Sequence, residues 1–311
     1  MMRIIIKNQL SAERIAFVGV IALLTLTACD PYSQDSFVEQ MVVETFLTGG
    51  EPLPDIKLSR TFPFDQPYTF EAAALRGYDI RVILTTNSGE TDMIIQYEES
   101  DNPGIYQPAD ESLTVEKGRV YRLEVREDTQ SSPVMTAETF VPGDFELVST
   151  NGESFIYQGP EQFEPTFTQS FYPGRQNYYV ASTFALDPEN LPLTPFYAGF
   201  LDDGEDPLQF RRVSSGIINE SNYEINPDGT TTVKLPWVAI AFYGPNEVSF
   251  FSIDTNLYDY IRSQSIQLGG PSTLSPGQIE NVLWNVEGGI GIFGSRTGIV
   301  SEIEIINPFA P

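Results

Sequence analysis

Histidine is absent from this 311-residue chain, and cysteine occurs once, at Cys29. The first absence removes Ser-His-Asp triads, imidazole metal ligands and imidazole general bases. The second leaves no partner for a disulfide and no cysteine cluster for zinc. Positive charge is scarce as well: 17 Lys and Arg stand against 43 Asp and Glu, a formal net charge of −26. So acidic a surface repels phosphate backbones and anionic lipid headgroups, which excludes nucleic acid as a partner. The apolar run at residues 15–28 is shorter than the ~20 residues that a comfortable membrane-crossing helix needs.

That short run has another use. Arg3, Lys7 and Arg14 precede or open it as a positive n-region, and residues 15–28 form the apolar h-region of a secretory signal. It ends in Leu26-Thr27-Ala28-Cys29, which is similar to the bacterial lipobox: an aliphatic residue, two small ones, then cysteine. Small residues let the extended backbone enter a signal peptidase, and the Cys29 thiol is the nucleophile that takes a lipid. The lipobox resemblance implies diacylglycerol on the sulfur, cleavage before Cys29 and acylation of the new amino group. Each buried methylene contributes ~0.8 kcal/mol, so several chains anchor a protein firmly. Residues 1–28 are therefore expected to be a leader and residues 29–36 a lipidated tether. Loss of the leader removes Arg3, Lys7 and Arg14 but only Glu13, leaving the remainder more acidic still.

The rest is rich in strand and turn formers, with 21 Phe, 15 Tyr, 24 Gly and 23 Pro, which points to an all-β fold. Apolar side chains at Tyr78, Ile80, Val82 and Leu84 alternate with Asp79 and Arg81, and Tyr121, Leu123 and Val125 alternate with Arg122, Glu124 and Arg126. Both segments read as half-buried strands. With 40–47, 55–61, 92–97, 105–106 and 136–141 they make about seven strands, an immunoglobulin-like sandwich over residues 37–142. Pro142-Gly143-Asp144 is the expected boundary to a second β-rich domain, 143–311. There a hairpin is expected around Asn226-Pro227-Asp228-Gly229, and a second is expected to pair 237–243 with 247–253 around Gly244-Pro245-Asn246. One helix is expected over 256–264, capped by Asp254-Thr255, with Leu257, Tyr260 and Ile261 on one face, and Gly269-Gly270-Pro271 ending it. A last strand covers 299–306.

Two stretches carry a family resemblance. Met41 to Arg60 (MVVETFLTGGEPLPDIKLSR) resembles the opening of the DUF4249 lipoproteins of Bacteroidota, and Asn285 to Gly294 (NVEGGIGIFG) resembles their closing glycine-rich signature. Gly104-Ile105-Tyr106 and Lys117 to Val125 are similar too. The resemblance implies an outer-membrane lipoprotein partnering a TonB-dependent receptor of the SusC type. It brings no catalytic residues.

Gly289-Ile290-Gly291-Ile292-Phe293-Gly294 also spells G-x-G-x-x-G. A dinucleotide site needs those glycines between a strand and a helix with an acid ~20 residues on, and the 17 residues after Gly294 read as strand. A tight bend or close backbone packing between strands is the better reading of the glycines. Asp202, Asp203, Glu205 and Asp206 crowd one short loop and form a weak Ca2+ candidate, against the reading of a solvated acidic turn. No other metal or cofactor is expected. Twelve aromatics lie between Phe155 and Phe200. The pairs Phe171-Tyr172, Tyr178-Tyr179 and Phe196-Tyr197 are candidates for gripping a ligand or partner, against a reading as core. The favoured expectation is a non-enzymatic, lipid-anchored binding protein of the outer membrane. The alternatives are a polysaccharide hydrolase using two carboxylates, which needs no histidine, and an adhesive or structural envelope protein.

Overall fold

The computed structural model describes residues 37–63, 65–86, 88–127, 132–202, 204–267 and 281–309. Glu39–Pro311 forms one unit, and it is dominated by β-structure as expected. Its first seven strands are β1 (Met41–Thr48), β2 (Ile56–Arg60), β3 (Tyr78–Thr85), β4 (Thr91–Glu99), β5 (Ile105–Pro108), β6 (Val120–Glu127) and β7 (Met135–Phe140). They lie in the order β1-β2-β5-β4-β3-β6-β7. An immunoglobulin-like sandwich places its first, second, fifth and fourth strands on one side and its third, sixth and seventh on the other, and this order is the same, with β4 linking the two sides. Strand periodicity makes the core: Ile80, Val82 and Leu84 of β3 and Tyr121, Leu123 and Val125 of β6 turn the same way and are buried.

Tyr121 does more than fill space. Its hydroxyl accepts the Glu116 N–H at 2.7 Å, five residues upstream, near the start of the sixth strand. This is the tyrosine corner of such sandwiches, and it pins the turn that feeds β6. Tyr121→Phe removes the acceptor and is expected to cost about 1 kcal/mol, or up to ~3 where the amide finds no water. A urea midpoint that moves with an unchanged slope checks it.

The remaining strands are β8 (Leu147–Ser149), β9 (Ser154–Ile156), β10 (Thr166–Thr168), β11 (Tyr178–Ala185), β12 (Arg212–Ser214), β13 (Ile218–Asn219), β14 (Thr230–Thr232), β15 (Gly244–Ile253), β16 (Val286–Glu287) and β17 (Ile290–Ile306). Two four-residue helices, α1 (Phe70–Ala73) and α2 (Pro195–Ala198), and one longer helix, α3 (Thr255–Gln267), accompany them. The expected helix is there and starts at its expected cap: the Asp254 carboxylate accepts the Leu257 N–H at 2.8 Å. Gly269, Gly270 and Pro271 lie outside the described residues.

Of the two expected hairpins the first is present in short form: the Gly229 N–H closes a turn on the Asn226 carbonyl, the Asn226 N–H bonds the Thr230 carbonyl and Ile225 bridges Thr231, while β14 also pairs with β10. The second is corrected. Trp237–Ala239 is a 3-10 turn, and β15 runs straight through Gly244-Pro245-Asn246 to pair with β11 and β17. Asn246, 1 % exposed, bonds the carbonyls of Phe242 and Gly244, which carries the chain into the strand without a reversal.

β17 ties the unit together. It is longer than expected, pairing in parallel with β1 over Ile290–Arg296 and antiparallel with β15 over Arg296–Ile305. One face of it supplies both cores. Phe293 joins the first, with Val43, Leu58 and Leu123, and Ile299, Ile303 and Ile305 join the second. Between them Ser295 and Thr297, both fully buried, bond the carbonyls of Phe140 and Pro142 at 2.9 and 2.6 Å. Across the Pro142–Asp144 segment the chain passes from Val141 of the first core to Phe145 of the second, and it returns to the first with Val286 and Phe293. A three-stranded sheet, β14-β10-β8, covers the second core. Phe167 of that sheet sits within 5.5–5.7 Å of the Phe145, Tyr179 and Phe250 rings, and each such ring contributes ~1.5–3 kcal/mol by burial.

The glycine-rich signature is a packing device. Gly288 has φ +81° and its α-carbon faces the Val134 carbonyl. Gly289 has the Met41 carbonyl 2.7 Å from where a Cβ would stand. Gly291, at φ +122°, lies against the Val43 backbone. Strand continues through Ile306 with no helix after it, so the dinucleotide arrangement is not present.

Candidate functional site

The other face of β17 alternates Ile292, Gly294, Arg296, Gly298 and Val300, since successive side chains of a strand point oppositely. The two glycines leave room above the sheet. Leu257 of α3 sits over Gly294, 2.7 Å from where a Cβ would stand, and the Phe251 ring occupies the space over Gly298. Phe251 is opposite Gly298 and Val180, and Ile253 is opposite Arg296, so all share this face. α3 lies across it with Leu257, Tyr260 and Ile261 inward. A cleft of about 270 Å³ opens between helix and sheet, lined by Phe46, Val180, Phe251, Ile253, Leu257, Tyr260, Ile261 and Arg296.

Among the described residues Arg296 is the only charged group in that lining. Its Nε donates to Thr48 Oγ1 at 3.1 Å, and its guanidinium carbon lies 4.1 Å from the Phe251 ring centre. Burial lowers its pKa below the ordinary guanidinium value, partly opposed by Glu51 and reinforced by Arg212. Among the described residues it has no ion pair, in a chain whose carboxylates far outnumber its cations. Beyond it on the same face, Arg211 and Arg212 both lie 4.6 Å from the Phe184 ring.

An aromatic ladder holds the start of the helix. The Arg175 guanidinium lies 3.7 Å from the Tyr172 ring and 4.8 Å from Tyr178, and Tyr178 stacks on Tyr258 at 4.1 Å. Arg175 also donates to the Ile253 carbonyl and to Thr255 Oγ1, and the Tyr172 hydroxyl is 3.1 Å from the same Oγ1. Beneath them Asp254 is fully buried. Its carboxylate lies 2.5 Å from Thr139 Oγ1, which is 2.7 Å from Ser295 Oγ. Desolvation pushes the Asp254 carboxyl up to about 6, although Thr139, the Leu257 and Ser295 backbone and Arg175 pull the other way.

The expected aromatic pairs divide. Phe171 is 62 % exposed and Phe196 42 %, while Tyr172 and Tyr178 are half-buried in the ladder. Tyr179 and Tyr197 are corrected to core positions: strand alternation turns Tyr179 inward onto Phe145 and Phe167, and Tyr197 packs on Phe210 with its hydroxyl donating to the Val238 carbonyl. In the acidic loop, the Glu205 carboxylate accepts the Asp202 N–H, and the Asp206 carboxylate accepts the Leu208 N–H to start a 3-10 turn. Asp203 lies outside the described residues. Among the described residues no group of three or more acidic side chains is placed to hold a metal ion. A second opening, a broad groove of about 680 Å³, carries Glu153, Glu302 and Glu304 beside Leu147 and Val148. Cys29, the expected lipid attachment point, lies outside the described residues.

Sequence reasoning had passed over Arg296, Phe251 and Phe46. The signal was a period-two pattern, Gly294-x-Arg296-x-Gly298, which reads as a charged side chain flanked by cleared space on one strand face.

Among solved structures the chain is similar to Escherichia coli alpha-2-macroglobulin activated by porcine elastase, at 12 % identity and a TM-score of 0.23, over 87 % of this chain and 23 % of that one. It is also similar to the three N-terminal domains of the bacteriophage RB49 Highly Immunogenic Outer Capsid protein, at 10 % identity and a TM-score of 0.20, over 86 % of this chain and 70 % of that one. The chain thus spans under a quarter of the macroglobulin. No curated protein sequence matches it significantly. A family model does match, over residues 28–297, from just before Cys29 to just past Arg296. The chain belongs to the DUF4249 family, a domain of unknown function.

Proposed function

We propose that this protein is a lipid-anchored binding protein of the outer membrane that captures a small ligand for a TonB-dependent transporter of the SusC type, without catalysing a reaction. The observation that carries the reading is the cleft under α3. Apolar and aromatic walls with one orienting charge are the make-up of a small-molecule site, and among the described residues its lining holds no carboxylate to act as a base, its one hydroxyl being that of Tyr260. The lipobox-like Leu26-Thr27-Ala28-Cys29 supports the anchor. Anchoring confines the binding face to the membrane surface and raises its effective concentration at the mouth of a neighbouring transporter.

Two measurements test this. Cys29→Ala is expected to move the protein from the membrane fraction to the soluble one, since no alkyl chain then holds it. Gentle detergent extraction of the native protein is expected to bring a β-barrel protein with it, identified by mass spectrometry. A wild-type protein that extracts as an isolated monomer, with an unacylated Cys29 by intact mass, ends the proposal.

A further inference from the structure

We propose that the cleft under α3 binds a small carboxylate with an apolar or aromatic body, its carboxylate paired with Arg296 and its body lying against Phe46, Phe251, Ile253 and Leu257. This rests on the reading of the protein as a binding protein and names the ligand class of that site. Three observations converge. The first is shape: the cleft is about 270 Å³, near the lower end of ligand pockets, which run ~300–1,000 Å³, so the ligand is small. The second is lining, which among the described residues offers seven apolar or aromatic side chains and one cation.

The third is the state of that cation. Arg296 spends only Nε, on Thr48. Its two terminal nitrogens have no hydrogen-bond partner among the described residues, and a guanidinium edge presents parallel donors that match the two oxygens of a carboxylate. The Phe251 ring under it fixes its plane. Holding a guanidinium partly out of water is unfavourable, as its lowered pKa records, and a bound carboxylate offsets that cost. Glu51 and Arg212 are the other charges acting on it. Glu51 is exposed and forms no ion pair with Arg296, so it leaves the terminal donors open. The overall charge of −26 repels free carboxylates from most of the surface, which confines their capture to a place where a cation is set in an apolar wall.

Calorimetric titration of the full-length lipidated protein, with a detergent blank, separates the components. The probes are 3-phenylpropionate, its neutral isostere 3-phenylpropanamide and the cation 3-phenylpropylamine. The acid is expected to saturate a single site, the amide to bind about 10- to 100-fold more weakly, as loss of a charged hydrogen-bonded pair requires, and the amine not to bind. Arg296→Gln is expected to abolish the preference for acid over amide, and Arg296→Lys to restore part of it. Should Arg296→Gln not fold, Ile261→Glu, which adds a carboxylate to the half-buried helix wall, is expected to weaken the acid and spare the amide. Equal affinity for acid and amide, undiminished acid binding in a folded Arg296→Gln or Ile261→Glu protein, or no saturable binding of the acid would overturn the proposal. A transporter that still co-purifies in that event leaves the binding-protein reading standing and removes only this ligand class.

Discussion

Gly291→Ala is expected to destabilise the protein by about 4 kcal/mol or more, at the extreme of single substitutions. The position combines two causes. Its φ of +122° lies where L side chains are strained, a cost of ~1–3 kcal/mol. A Cβ there would also fall inside the Val43 backbone of the neighbouring strand, which cannot move aside as a flexible side chain would. Residues 290–296 are where β17 pairs with β1, so the damage reaches the strand that both cores share. Gly216→Ala is the control: it has open space around it and an ordinary φ, and is expected to be neutral or stabilising by ~0.4–1 kcal/mol through the unfolded chain. Urea denaturation of the two variants checks the pair. A Gly291→Ala protein as stable as wild type would show that the close approach of β1 and β17 is not required.

Asp254 is expected to make the protein lose stability as pH rises from about 4 to about 6. Its carboxyl ordinarily titrates near 3.8 and is pushed up to about 6 by burial in the fold. Over that window the unfolded chain releases a proton that the folded one keeps, so ionisation favours unfolding; below it the group contributes no slope, and above it the loss is complete at about 3 kcal/mol. A count of hydrogens agrees. With Asp254 ionised, Thr139 donates to it, and the one hydrogen of Ser295 must choose between Thr139 and the Phe140 carbonyl. With Asp254 protonated, the acid donates to Thr139, Thr139 to Ser295, and Ser295 to Phe140, leaving no acceptor contested. Arg175, the cation whose charge acts on it, spends its hydrogen bonds on Gln176, Ile253 and Thr255.

Asn at position 254 reproduces the protonated pattern, with its amide donating to Thr139 and its oxygen accepting the Leu257 N–H. Asp254→Asn is therefore expected to lose the slope between pH 4 and 6 and to match or exceed wild-type stability at pH 7. Asp254→Ala removes the helix cap and strands Thr139; it is expected to lose the slope as well, costing ~2–3 kcal/mol at pH 4 and far less at pH 7, where wild type already bears the cost of the buried charge. Thermal unfolding of the three proteins from pH 4 to 7 reads both effects. A wild-type slope that persists in Asp254→Asn would place the titration elsewhere.

Much of the fold was readable along the chain, because strand alternation and helix capping are local. Tyr78–Leu84, Tyr121–Val125 and the Asp254 cap stand where the residue pattern put them. The glycines at 288–294 were legible as sites of close backbone approach, though not which backbone they approach. The hairpin expected across Gly244-Pro245-Asn246 failed for the opposite reason. Turn residues between apolar runs signal a reversal only when the two runs pair with each other, and here β15 finds its partners, β11 and β17, some sixty residues before it and fifty after. The aromatic pairs show the same limit. Composition put twelve rings in one region, but strand and packing decided that Tyr178 lies on the ladder and Tyr179 in the core.

What the sequence by itself determined is the all-β class, the exclusion of histidine and disulfide chemistry, the capped helix and the family. What only the tertiary structure decided is the cleft. Phe46, Val180, Phe251, Leu257 and Arg296 come from four strands and a helix spread over 250 residues of chain, and no local spacing links them. They meet because β17, cleared of side chains at Gly294 and Gly298, is paired on one edge by the first strand and on the other by β15. Burial of the two cores on its opposite face holds it there, and that non-local pairing is what brings an arginine and an apolar wall to the same few ångströms.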